Sequence, residues 1–286
     1  MEQPIDPQSR RDYARARFKA FWRGILAALS GETNTLLSYD DVKEKLHIGG
    51  PIYRGVKTVR VDQIVGSLNR YHEFDRAFLP LQDKTAERWQ RVNQAFYHEV
   101  SLPPVVLYQV GEVYFVVDGH HRVSVAREQN QIYIDAEVRE CATRVSITPD
   151  IRPEDLQDLH DKVHFIERTE IDRIRPEADI TLTISGGYDR MLEHIAVHRY
   201  FMGLDEQRDI SEAEAVAHWY DTVYLPIITV VRESDILQEF PGRTEGDLYL
   251  WVLDHQHFLH EQGQDLMPPA AAAWEFLQSK DDKKDD

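Results

Sequence analysis

Cysteine is nearly missing: Cys141 is the single one in 286 residues. That excludes an intrachain disulfide framework and a cysteine-based zinc cluster, and it suits a reducing cytosol. Long apolar runs are missing too. No stretch approaches the ~20 residues that cross a bilayer. The N-terminus lacks the uninterrupted apolar core, between basic and small residues, of a secretory leader. A cytoplasmic protein without a membrane span is expected. The sequence has no internal repeat and no excess of positive charge. Its net charge is -17, and the excess is one-sided: residues 1–150 hold 20 Lys/Arg and 20 Asp/Glu, whereas 151–286 hold 13 and 30. Such a surface repels a duplex phosphate backbone, so sequence-specific DNA recognition is not expected.

What is present is enough apolar material, 42% of residues, for a real core and two modest domains. The spacing in 10–29 predicts one amphipathic helix, with Phe18, Phe21, Ile25 and Leu29 on one side and six Arg/Lys between 10 and 23. A membrane-surface or nucleic-acid helix fits this pattern, but docking on the body by the aromatic face is the favoured expectation. Ser38 with Asp41 predicts an N-capped helix over 39–46, and IGGPIYRG reads as a turn-rich linker. AERWQRVNQAFYHEV reads as a helix with Trp89, Val92, Phe96 and Val100 at core spacing.

The sharpest signal is Val113–Glu128. Five β-favouring residues end at Asp118-Gly119, and helical spacing begins at His120. A strand delivering its end into a helix N-terminus presents free N–H groups backed by the helix dipole, which suits a phosphate. Gly119 permits close approach. His120, His121, Arg122 and the first-turn Ser124 add donors, the histidines gaining charge near pH 6. Upstream, GSLNRYHEFDRAFLPL is a loop dense in polar groups, among them Arg70, Glu73 and Asp75.

DGHHRVSVA resembles the phosphate-binding turn of the ParB/sulfiredoxin superfamily. VKTVRVDQIVGS (56–67), the helix at 83–99, LPPVVLYQVGEVYFVVDG and IYIDAEVRE are similar, in order, to that fold's other elements. VGSLNRYHEFDRAFLPL, EHIAVHRYF and FPGRTEGDLYLWVLDH also resemble a bacterial ParB-like family of unassigned function. The resemblance implies an α+β domain with a mixed sheet, a bound nucleotide (ATP, ADP or CTP, with Mg²⁺ arriving on its phosphates), and Arg70 as a phosphate contact. The departures limit it. His120 stands where sulfiredoxin-like enzymes carry a reactive cysteine, His-His-Arg replaces ParB's Glu-Arg-Arg, and no helix-turn-helix follows. The closer likeness is to the superfamily's small-molecule kinases.

The expected organisation is an N-terminal helical segment (1–53), a nucleotide-binding domain (54–150), a mainly helical acidic domain (151–280) and a disordered tail (281–286). In the second half KVHFIERTEI and ADITLTISGG read as strands. Helices follow at YDRMLEHIAVHRYFMG, at SEAEAVAHWYDTVYLPIITVVRES with Pro226 kinking or splitting it, and at the Thr244-capped TEGDLYLWVLDHQHFLHEQG. His194 and His198 stand four apart on one expected helix and His255, His257 and His260 cluster on another, with Glu193 and Asp254 as candidate third ligands. Packing or hydrogen bonding is favoured over a metal site for them. Two functions stay open: a phosphotransferase or nucleoside-triphosphatase using Asp118, Glu73 or Asp75 to orient the nucleophile or Mg²⁺, with a small-molecule acceptor, or a non-catalytic nucleotide sensor acting through partners. Homo-oligomerisation is left open by the sequence.

Overall fold

The computed structural model describes residues 4–281, and the chain divides into two units, Met1–Leu159 and His160–Asp286. The expected tail lies outside the described residues except for Asp281, which ends the last helix. The fold is α+β, with one mixed sheet in the first unit and helices throughout the second.

The first unit runs α1 (Pro7–Ser30), β1 (Leu37–Ser38), α2 (Tyr39–Lys45), β2 (Pro51–Arg60), β3 (Ile64–Ser67), α3 (Ala86–Tyr97), β4 (Val105–Val110), β5 (Val113–Asp118), α4 (His120–Glu128) and β6 (Tyr133–Cys141). Sheet order is β1-β3-β5-β4-β6-β2. The pairs β1–β3, β3–β5 and β4–β6 are parallel, and β4–β5 and β2–β6 antiparallel. Alternate residues of the central strands, such as Val105, Leu107 and Val116, pack with Phe74, Phe78 and Val123 into the main core. Ser38 caps α2 by accepting from the Asp41 N–H, as its position predicts.

Three expectations for this unit are corrected. IGGPIYRG is not a linker: Pro51–Gly55 begins β2, pairing Pro51 with Cys141 and bulging between Tyr53 and Val56, where Gly55 takes φ 86°. Proline is tolerated as the first residue of an edge strand, and glycine at a bulge. α3 buries Trp89 and Asn93 but exposes Phe96, and Val100 beyond its end is exposed as well. α1 docks by the opposite face from the one expected. Ser9, Asp12, Tyr13, Ala16 and Ala20 are buried, while Phe18, Phe21, Trp22, Leu26 and Leu29 stay in water. The alanines permit close approach, Tyr13 meets Trp89 edge to face at 5.5 Å, and the buried Asp12 carboxylate accepts from Asn93 (3.1 Å) and Tyr97 (2.7 Å). A satisfied polar contact here outranks the larger apolar face.

The remaining helices are α5 (Leu156–Thr169), α6 (Ile171–Ile174), α7 (Gly187–Glu206), α8 (Glu212–Trp219), α9 (Leu225–Glu233), α10 (Glu245–Glu261) and α11 (Pro269–Asp281). KVHFIERTEI is therefore helical, not a strand, because Leu156, Val163 and Ile166 continue a helical period that begins upstream of it. ADITLTISGG is not a strand either. Its backbone bonds to the start of α10: Asp247 accepts from Thr183 N (2.8 Å), Thr183 Oγ1 (2.6 Å) and Ile184 N (3.2 Å), and Thr244 donates to the Thr181 carbonyl (2.6 Å). Asp247 also closes a capping box with Thr244. Between α8 and α9 a π-helical turn, Tyr220–Tyr224, precedes Pro226. Among the described residues no helix is long and apolar enough to cross a membrane.

Candidate functional site

β5 ends at Asp118, Gly119 takes φ 97°, and α4 opens at His120. Glycine is required here. A Cβ would meet Val105 Cγ1 at 2.6 Å, in a backbone region that L-residues avoid. No side chain caps α4, so the first-turn N–H groups face outward with the positive end of the dipole. They border a cavity of about 190 Å³, which is also lined by Arg70, Arg88, Asp118, His120, His121 and Arg122. Sequence order hid Arg88. It lies on α3, thirty residues before the turn, beside a tryptophan that drew attention to the core face.

His120 and His121 are both buried. His120 Nε2 shares a 2.7 Å hydrogen bond with Ser67 Oγ at the end of β3. Burial, then the charges of Arg70 and His121, push its pKa down to about 4. Burial, then Arg88 and Arg70, do the same to His121, also to about 4. Both rings are therefore neutral at pH 6, contrary to the charge expected there from an ordinary imidazole. His121 meets Phe74 edge to face at 5.5 Å. Its Nδ1 is buried and has no hydrogen-bond partner among the described residues. A buried nitrogen without a partner costs free energy, and the residue that carries it lines the cationic cavity.

The other expected residues divide. Arg122 is held by the protein: it pairs with Asp118 at 2.7 Å and donates to the carbonyls of Pro104 (2.8 Å) and Pro103. It anchors the turn to the β4 approach while still lining the cavity. Arg70 sits 3.6 Å from Glu73, and Glu73 is not on the cavity wall. Asp75 is fully buried elsewhere, accepting from the N–H groups of Ala77 (2.9 Å) and Leu79 (2.8 Å) and pairing with Arg23 at 3.1 Å. Its carboxyl is pushed up by burial. Ser124 is buried as well and accepts from Trp89 Nε1 at 2.8 Å, tying α3 to α4. Asp75 and Ser124 thus order the walls and do not line the cavity.

A second cleft of about 640 Å³, lined by residues that include Phe96, Val100, Pro104 and Asp135, shares Val92, Leu102, Pro103 and Arg122 with the cationic cavity. The histidines of the second unit have separate partners: His194 with Tyr249, His198 with His218, His255 with Glu275 and His260 with the Gln264 carbonyl. Among the described residues no three His, Cys, Asp or Glu side chains are grouped to hold a metal.

No known family profile matches the chain, and no curated protein does. Among solved structures it is similar to one described as the C2221 form of a Pnob8-like ParB-N domain, at 10% identity and a TM-score of 0.21, covering 71% of this chain and 90% of that one. A correspondence at that level establishes neither a shared fold nor a shared function.

Proposed function

We propose that the first unit binds a nucleotide, its phosphates held at Gly119–His121 between Arg70 and Arg88 and its body in the adjoining cleft. The carrying observation is the cavity itself, which two guanidiniums and a helix N-terminus make electropositive and which is lined also by His121, a buried neutral imidazole whose Nδ1 has no partner. The partly apolar cleft that shares Val92, Leu102, Pro103 and Arg122 with that cavity favours an organic phosphate over a bare anion. ATP, ADP and CTP are all candidates.

Binding without turnover is the better-supported form of this reading. Asp118, the one carboxylate among the described residues that lines the cavity, is already engaged by Arg122, Glu73 faces Arg70, and Asp75 is buried in its own loop. A kinase or triphosphatase would require Asp118 to release Arg122 and take up Mg²⁺ or the acceptor's proton. Its side chain is exposed enough for that exchange.

The test is a thermal-shift panel of nucleotides with and without Mg²⁺, followed by calorimetry on Arg88→Ala. Ligand at 100 times its dissociation constant adds about 2.7 kcal/mol of stability. Loss of one charge-assisted contact, roughly 1.5–3 kcal/mol, weakens affinity about tenfold to a hundredfold. No stabilisation by any nucleotide, or a dissociation constant unchanged in Arg88→Ala, would remove the assignment.

A further inference from the structure

The outer face of α1 is the largest feature of the first unit that nucleotide binding leaves unused. Phe18, Trp22, Ile25 and Leu29 follow one another at intervals of four, three and four residues, the spacing of a helix seam that meets another helix. Phe21 and Leu26 widen the stripe. Phe18 and Phe21 are each about 60% exposed and Leu29 80%. Beside the stripe runs a groove of about 490 Å³, walled by Phe18, Trp22, Leu26, Ala77 and Leu79. Ridge and groove lie on the same face, so the face is complementary to itself, as an isologous contact requires.

Charge decides among occupants. The basic side chains flanking the stripe are folded back on the protein's own carboxylates: Arg15 and Lys19 on Glu128 (2.7 and 2.9 Å), Arg17 on Asp83 (3.1 Å) and Arg23 on Asp75 (3.1 Å). A helix lying on an anionic lipid surface needs those cations free. A second copy of the same helix needs them neutralised, because otherwise the two basic flanks repel.

We infer that α1 pairs with α1 of a second copy of this chain, antiparallel about a two-fold axis, each stripe seating in the other's groove. At roughly 150–250 Å² per aromatic side chain, the exposed parts of Phe18, Phe21 and Trp22 together with the leucines leave on the order of 500–600 Å² per copy. Two copies bury about 1,000–1,200 Å², enough for a specific but reversible dimer at the small end of the range.

Sedimentation equilibrium of the full chain from about 1 to 200 µM, the span suited to a small interface, tests the pairing. The average mass rises with concentration towards twice the monomer mass. Trp22→Glu and Leu26→Glu, both at exposed positions, weaken association at least tenfold while the melting temperature and circular dichroism stay unchanged. If one variant loses helix content, Leu29→Glu near the helix end replaces it. A wild type that stays monomeric at the top of the range overturns the inference. So does a dimer that all the substitutions leave intact, which places the contact elsewhere. Pelleting of a monomeric wild type with phosphatidylserine vesicles, lost in the variants, makes lipid the occupant and overturns it as well.

Discussion

His120 and His121 illustrate how one local arrangement sets proton affinity and, through it, stability. Their folded pKa values of about 4 lie below the ordinary 6.5 because burial and the neighbouring arginines oppose a second positive charge. The unfolded chain therefore binds more protons than the native one between pH 6.5 and 4. Stability is full above that window and falls as pH drops through it, by at most about 1.4 kcal/mol per pH unit for each imidazole. Thermal melts of the free protein are expected to fall between pH 6.5 and 4.5, and His121→Gln should flatten the slope, the buried His120 and the half-buried His194 and His198 keeping the remainder. A slope identical in the variant would show that His121 does not titrate with folding. Arg122 belongs to the same neighbourhood in a different capacity. Its side chain is committed to Asp118 and two proline carbonyls, so replacing it is expected to disturb the turn itself, whereas Arg88 can be removed without touching those bonds.

At the level of elements, the first unit was largely legible and the second less so. Strand β5, the Gly119 turn, α4 and the Ser38 cap follow from local rules of propensity, glycine conformation and capping, all of which act within a few residues. Arg88 and the Trp89–Ser124 bond were not legible, because they depend on α3 meeting α4 across a long sequence separation. In the second unit, 178–187 alternates as a strand does, yet its backbone is satisfied by Asp247 instead of a neighbouring strand. The Asp247 carboxyl would be raised by burial, but bonds from Thr183, Thr244 and Ile184 outweigh that and hold it below the usual carboxylate range. Asp247→Ala removes the shared acceptor of several partly buried donors together, so it should cost about 1.5–3 kcal/mol, whereas removal of the exposed Asp205 should cost less than about 0.5 kcal/mol. Urea denaturation of both variants checks this, and a small effect at Asp247 would mean that water replaces the lost carboxylate.

For the molecule as a whole, composition alone located the charge, but only the fold shows what the cations of α1 do. Read along the sequence, Arg15, Arg17, Lys19 and Arg23 form a basic helix of the kind that meets phosphates. In the fold each pairs with a carboxylate between 52 and 113 residues away. With those cations occupied and the second half holding 30 Asp/Glu against 13 Lys/Arg, duplex binding is not expected to start from this helix. Non-specific association that neutralises only a few phosphates is weak from the start and falls further with salt, by a power set by the number of contacts. Electrophoretic mobility shifts over random and candidate duplexes should therefore show no competitor-resistant complex at about 150 mM salt, where the Debye length is near 8 Å. Retention of one sequence under those conditions would mean that the α1 ion pairs open to release a basic surface. Arg15→Gln with Lys19→Gln would then abolish the complex.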